Sequence, residues 1–280
     1  MIRVTRLADL LRSLTEERSR GQPIALIPTM GALHAGHAAL IEAARHAGDA
    51  PVVSAFVNPT QFGPGEDFQR YPRTPEEDAA LAREAGARVV WSPPGEEIYP
   101  PGEATRVQVG ALAEILEGAC RPGHFDGVAT VVVKLLAATM PDRLYLGEKD
   151  YQQTVVLRQV VRDFLLPVSL VVVPTVRDPD GLALSSRNRF LSPADRADAL
   201  RIPEALARAG ALVREGERCP RTIERAMQTA LARGASLRTE YAVVRDESLD
   251  PVDTVTGPVR ALIAARVGTT RLIDNRLLVP

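Results

Sequence analysis

The segment Leu26-Ile27-Pro28-Thr29-Met30-Gly31-Ala32-Leu33-His34-Ala35-Gly36-His37-Ala38-Ala39-Leu40 changes character twice along its length. The apolar run 24–27 predicts a buried strand, Pro28 ends it, and Gly31 permits a tight turn. From about Gly36 the Ala/Leu-rich spacing turns helical. A strand that passes through a glycine turn into a helix aims the helix's unpaired N–H groups and positive dipole end at whatever binds there, which suits phosphate. His34 and His37 stand three apart and can face one cleft, and Gly36 lets a ligand approach the backbone. An imidazole can donate to phosphate oxygens and be cationic as it does so. The alternative is two histidines on a surface turn, which would be preferred for a single histidine but not for a pair placed behind a strand–glycine turn.

Outward from this segment, strand and helix signals alternate. Residues 3–18 predict a short amphipathic helix, with Leu7, Leu10, Leu11 and Leu14 on one side. Residues 51–57 predict a second strand ending in Asn58-Pro-Thr-Gln61-Phe62. Thr74-Pro75-Glu76-Glu77 predicts a helix start, with Thr as N-cap, Pro at N1 and Glu at N3; the helix runs to about Ala85, with Gly86 as its stop. Residues 88–92 predict a third strand. A helix at 112–117, the polar turn Arg121-Pro-Gly-His124-Phe-Asp-Gly127 and a helix at 128–139 follow. Beyond them come a strand at 143–146, Gly147-Glu148-Lys149-Asp150, a helix at 151–164 and a β-branched strand at 168–173. Such alternation with short links argues a parallel sheet with right-handed crossovers. Ligands of open α/β sheets bind outside the carboxyl ends of strands, so residues 30–37, 58–61 and 147–150 are expected to meet in one crevice.

The pattern then shifts. Asp178-Pro-Asp-Gly181 reads as a turn, Leu184-Ser185-Ser186-Arg187-Asn188 follows, Ser192 caps a helix, and another helix spans about 222–233. Period-two runs at 237–245, 260–267 and 270–278 predict an antiparallel sheet. The fold class is therefore α/β: a Rossmann-like parallel-sheet domain over residues 1–175 and a smaller α+β domain over 176–280, hinged at 175–181.

Composition bounds the function. A chain of 280 residues with 45% hydrophobic content and net charge −1 has ample core and no nucleic-acid footprint, its arginines being scattered among nearly equal numbers of acids. No signal-peptide pattern and no membrane-length apolar run are visible. Cys120 and Cys219 are far apart, without metal-type spacing, and fit a reducing cytosol, so a cytoplasmic protein is expected. Nearly all basic residues are Arg; the lysines are Lys134 and Lys149. In such a chain a lysine can mark a place where Arg's planar fork will not serve.

Five segments taken in order, Pro28–His37, Phe56-Val-Asn-Pro-Thr-Gln-Phe62, Arg121–Gly127, Gly147-Glu-Lys-Asp-Tyr-Gln-Gln153 and Ser185-Ser-Arg-Asn188, resemble the pantoate–β-alanine ligase (pantothenate synthetase) family of the HIGH-motif nucleotidyltransferase superfamily, over nearly the whole chain. Leu184 departs from the Met that the family often has there, and is a similar apolar residue. The resemblance implies two steps: ATP and pantoate give pantoyl adenylate and pyrophosphate, then the β-alanine amine displaces AMP. It implies that Met30, Gly31, Ala32, Leu33, His34, Ala35, Gly36 and His37 hold ATP. Gly147, Glu148, Lys149, Asp150, Val176, Leu184, Ser185, Ser186 and Arg187 complete that set, and Gln61 and Gln153 hold pantoate. It also implies Mg²⁺ accompanying ATP, with no protein ligand to the metal named, and a homodimer.

The residue types fit that chemistry. Attack on a phosphorus needs alignment and neutralisation of spreading charge. His34 and His37 supply donors, Lys149 a compact cation, and Arg187 with Ser185 and Ser186 a phosphate clamp. An amide offers both donor and acceptor to a substrate bearing hydroxyls and a carboxylate. Structural alternatives stand beside these. Gln153 can form a capping box with Asp150, Ser185 and Ser186 can be loop hydroxyls, and Asn58 can merely cap a turn. Arg121 and His124 either touch the nucleotide or shape a loop, Lys134 reads as a snorkelling side chain, and both cysteines as inert. Two other functions compete: a nucleotidyltransferase with a phosphate-bearing acceptor, which needs a basic pocket, and a non-catalytic nucleotide-binding module, which does not need the full phosphate-transfer set.

Overall fold

The computed structural model describes all residues, Met1–Pro280. The chain separates into two compact units, one of residues 1–148 and 153–174, the other of 149–152 and 175–280.

In the larger unit the elements are β1 (Ile2–Val4), α1 (Leu7–Ser19), β2 (Ile24–Thr29), α2 (Ala35–His46), β3 (Ala50–Ala55), α3 (Pro75–Ala85), β4 (Val89–Trp91), the short helices α4 (Gly95–Ile98) and α5 (Glu117–Cys120), then α6 (His124–Thr139), β5 (Arg143–Gly147), α7 (Tyr151–Asp163) and β6 (Ser169–Val173). All six strands pair in parallel, in the order β1-β4-β3-β2-β5-β6. Leu10, Leu14, Val128, Val132, Leu136 and Leu157 cover one face of the sheet, and Leu40, Ile41, Ala44, Ala82 and Ala85 the other. Helices on both faces of a parallel sheet are the Rossmann-like arrangement expected. Successive strands step outward from β2 towards β4, while β5 starts on the opposite side of β2. The order therefore reverses between β2 and β5, the kind of switch point outside whose carboxyl ends open α/β sheets bind ligands.

The expected boundaries shift where neighbours override local signals. Residues 2–4 are a strand, not part of the first helix, because they pair with residues 89–91. Pro28 does not end β2, which runs to Thr29: at Pro28 the strand pairs with β3 at Ser54, while β5 pairs only at Ala25 and Leu26, so the missing N–H is tolerated. The expected helix at 112–117 is instead a 3₁₀ turn, Gly110–Ala113, followed by α5. The longer helix α6 begins at His124, inside the segment expected as a turn.

The smaller unit holds α8 (Pro193–Ala199), α9 (Arg201–Arg214), α10 (Pro220–Leu231) and the antiparallel sheet β7 (Leu237–Arg245), β8 (Val259–Val267) and β9 (Thr270–Leu278). Ile202, Leu206 and Val213 of α9 and Ile223, Met227 and Leu231 of α10 bury their apolar stripes against Ala261, Ile263 and Ala265 of β8. No helix of the chain is long and apolar enough to cross a membrane.

Candidate active site

At the carboxyl end of β2 the two histidines close a reciprocal cap. His34 is the N-cap of α2; its Nδ1 accepts the Gly36 N–H at 3.1 Å, and the Nδ1 of His37 accepts the His34 N–H at 3.2 Å. The rings stand 4.1 Å apart, centroid to centroid. An Nδ1 that accepts carries no proton, so this geometry assigns the ring proton to Nε2 in both residues. Each imidazole is thus a neutral donor, and the cationic form considered from the sequence would have to give up its cap.

The turn before them is also filled. Gly31 has φ +78, and a Cβ there would stand 3.0 Å from Asp78 Oδ2; Ala32 follows with φ +49. Asp78, on α3 and 5% exposed, accepts the Ala32 N–H at 3.0 Å and the Leu33 N–H at 2.7 Å. The Thr74 hydroxyl does not cap α3 as expected; it donates to Asp78 Oδ1 at 3.0 Å. The N–H groups of Ala32 and Leu33, in the turn ahead of α2, are therefore satisfied within the protein.

Beyond β3, Asn58 is 1% exposed and uses its amide at both ends. Its Oδ1 accepts the Tyr99 hydroxyl at 2.8 Å and the Thr60 hydroxyl at 2.9 Å; its Nδ2 donates to Gln61 Oε1 at 3.0 Å and to the Gly127 carbonyl at 3.1 Å. Burial raises the Tyr99 pKa, which keeps the phenol a donor. A Cβ on Gly127 would lie 2.3 Å from the Thr60 carbonyl oxygen, so α6 packs directly on this turn only because 127 is glycine. Asn58 is an organiser of Gln61: with Oε1 engaged, Gln61 directs its Nε2 to the Met30 thioether at 3.0 Å, a weak acceptor.

Arg121 and His124 act on the same loop. Arg121 pairs with both oxygens of Glu66, at 2.8 and 2.7 Å, and its Nη1 lies 3.0 Å from His124 Nε2. His124 Nδ1 donates to the Gln61 carbonyl at 2.8 Å, so Nε2 is the acceptor for Arg121. Burial first, and then the Arg121 charge, lower the His124 pKa to about 4. Burial raises the Glu66 pKa, but hydrogen bonding and charge from Arg121 outweigh it and hold the carboxyl below its ordinary value. Lys134 is not a snorkelling side chain: its ammonium meets Glu103 at 3.0 Å, donates to the Ile98 carbonyl at 2.9 Å and lies 4.9 Å from the Tyr99 ring centroid.

In the larger unit, the carboxyl ends of β3, β2 and β5 lie side by side and bring together residues 30–37, Asn58, Gln61, Gly147 and Glu148. Gln153 lies in the first turn of α7. In the smaller unit, Leu184 N donates to the Val176 carbonyl at 3.0 Å, which seats two expected nucleotide contacts together. Ser185 Oγ accepts the Arg187 N–H at 3.3 Å and caps the 3₁₀ turn Ser186–Phe190, while Asn188 Nδ2 ties that turn to the Ala183 carbonyl at 3.0 Å. Lys149 and Asp150 group with this unit, the lysine Nζ 3.6 Å from Asp150 Oδ1. No group of three or more His, Cys, Asp or Glu side chains is arranged to hold a metal, and the two cysteines are exposed and form no disulfide. Asp78 and Tyr99 were not among the expected site residues. An acid in the first turn of a helix reads only as dipole compensation, and the tyrosine lies outside every motif.

The family model for pantoate-beta-alanine ligase matches residues 3–277. The pantothenate synthetase of Acidiphilium cryptum (strain JF-5) is 53% identical over 90% of each chain, and that of Moorella thermoacetica 49% identical over 97% of this chain and 96% of its own. The crystal structure of pantothenate synthetase from Thermus thermophilus superposes with a TM-score of 0.95 at 45% identity, covering 100% of both chains. A pantoate-beta-alanine ligase from Francisella tularensis, crystallised in complex with Beta-gamma ATP and Beta-alanine, gives a TM-score of 0.80 at 36% identity over 99% of this chain and 97% of that one. Agreement over nearly full length, in sequence and in fold, makes this chain a member of the pantoate–β-alanine ligase (pantothenate synthetase) family, within the HIGH-motif nucleotidyltransferases.

Proposed function

We propose that the protein condenses (R)-pantoate with β-alanine, using ATP, through a pantoyl-adenylate intermediate. A pantoate carboxylate oxygen attacks the α-phosphorus and pyrophosphate leaves; the β-alanine amine then attacks the acyl carbon and AMP leaves, forming the amide. The observation that carries this reading is the pair of Nε2–H donors at the carboxyl end of β2 with the Gln61 amide beside Met30. Donors fixed in advance stabilise phosphoryl charge without reorganising during the step.

His34 and His37 bind the phosphate oxygens, Lys149 meets the charge developing at the phosphoryl centre, and Arg187 clamps phosphates with Ser185 and Ser186. ATP lies along residues 30–37 and 147–150, Val176 and residues 184–187. Mg²⁺ comes with ATP, its shell filled mainly by phosphate oxygens and water. Gln61 and Gln153 hold pantoate. A thioether is a poor partner for the Gln61 Nε2–H, so a hydroxyl or carboxylate oxygen displaces it to advantage. The side chains around Gln61 (Asn58, Met30, Thr60 and Tyr99) are neutral, and the nearby Arg121 is committed to Glu66. That lining supports a hydroxylated acceptor over a phosphorylated one. The enzyme works as a homodimer in the cytoplasm. With ATP, Mg²⁺, pantoate and β-alanine, mass spectrometry should find AMP and pantothenate in equal amounts; ADP, or no turnover, overturns the reading.

A further inference from the structure

A buried polar chain runs through the smaller unit to the backbone of Lys149. Asn275, on β9 and 4% exposed, donates from Nδ2 to the Lys149 carbonyl at 3.0 Å. Its Oδ1 accepts Arg260 Nη1 at 2.6 Å. Arg260, on β8 and 6% exposed, lays its guanidinium 3.9 Å from the centroid of the Tyr151 ring. The Tyr151 hydroxyl in turn donates to the Glu247 carbonyl at 2.9 Å. Asp274 braces the adjoining residue, accepting the Asn275 N–H at 2.8 Å and two Arg177 bonds at 2.6 and 2.9 Å. Residues 149–152 are thus anchored to the smaller unit, although Glu148 and Gln153 on either side belong to the larger.

Asparagine is disfavoured inside strands, so its place here, paired in register with Leu262, asks for a reason. The position has to donate to a carbonyl and accept from a guanidinium at once, which a side-chain amide does and an acid or an aliphatic side chain does not. We propose that Asn275, oriented by Arg260, is a positioning residue for Lys149: it fixes the backbone from which the ammonium reaches the phosphates. This rests on the reading that Lys149 acts at the phosphoryl centre.

Asn275→Asp keeps the size and the acceptor for Arg260 but removes the donor to Lys149; Asn275→Ala removes both. Because Lys134 and Lys149 are the only lysines, amine labelling read by mass spectrometry reports Lys149 against an internal reference. Both variants should change the Lys149-to-Lys134 labelling ratio. They should also lower kcat for adenylation by roughly 10- to 100-fold, as expected for a misplaced catalytic group, with KM for ATP and pantoate unchanged. A folded variant with parental ratio and parental kcat overturns the proposal. If neither variant folds, native-state hydrogen exchange of the unaltered protein decides. Amides 149–152 must open together with β7–β9, and opening with β5 and the remainder of α7 refutes the anchoring. Normal turnover by Lys149→Ala would remove the lysine's chemical role while leaving the labelling ratio as a test of the anchoring itself.

Discussion

Asp78→Ala tests what shapes the turn in front of the histidines. The carboxylate accepts three hydrogen bonds, from Ala32 N, Leu33 N and Thr74 Oγ1, and is almost wholly buried. Truncation leaves two backbone N–H groups without their acceptor, at about 1–3 kcal/mol each, so a loss near 4 kcal/mol is expected. Asp78→Asn should lose roughly half of that, because Oδ2 serves Ala32 and Oδ1 serves Leu33 and only one oxygen survives. Thr74→Val removes a single hydroxyl bond and should cost about 1 kcal/mol. Against a typical stability of about 5–15 kcal/mol the variants still fold. Turnover should suffer more than stability, since Leu33 adjoins His34 and a shift of about 1 Å in a catalytic group costs on the order of 100-fold. Urea unfolding gives the first quantity and single-turnover adenylation the second. An Ala variant with parental midpoint and parental turnover would show that Asp78 does not hold the turn in front of the histidines.

Three further outcomes follow from the geometry. His37→Asn keeps an acceptor near the place of Nδ1 and loses the Nε2–H, so urea stability should stay close to parental while adenylation falls on the order of 100-fold; parental adenylation would contradict the donor role. His124 has a folded pKa of about 4, below the ordinary histidine value of about 6.5, so the native state binds fewer protons than the unfolded one. Its share of stability is complete above about pH 6.5 and is lost as pH falls towards 4, about 3 kcal/mol in all; a His124→Gln variant showing the same acid loss in urea titrations would contradict this. Saturating ATP should slow proteolysis within residues 175–188 if Ser185, Ser186 and Arg187 hold phosphate as proposed; equal cleavage rates would count against it.

The parallel sheet and the antiparallel sheet are legible because their strands carry strong period-two or fully apolar signals, and at residues 237–245 and 270–278 the expected bounds match the observed strands. Some elements escaped, two of them instructively. Residues 2–4 are too short to show a period, and only pairing with β4 makes them a strand. Helix α9 carries a clear stripe through Ile202, Leu206 and Val213, yet Pro203 reads as a breaker; it sits in the first turn, where no helical N–H is owed. At the site, the motifs marked His34, His37 and Gln61, but not how each is held. Asp78 reaches the turn from 46 residues away and Asn275 reaches Lys149 from 126 residues away, pairings that only the fold creates. That Asp78 answers the N–H groups of Ala32 and Leu33, and the histidine rings those of His34 and Gly36, depends on side-chain geometry that no spacing encodes.

Isotope exchange separates the two proposed steps, because only the first needs to run for it. With ATP, Mg²⁺ and pantoate but no β-alanine, labelled pyrophosphate should enter ATP, because adenylate formation is reversible and needs only the pantoate carboxylate. Leaving out pantoate should abolish the exchange. Exchange that requires β-alanine would contradict a separate adenylate step, and exchange that persists without pantoate would contradict the acceptor.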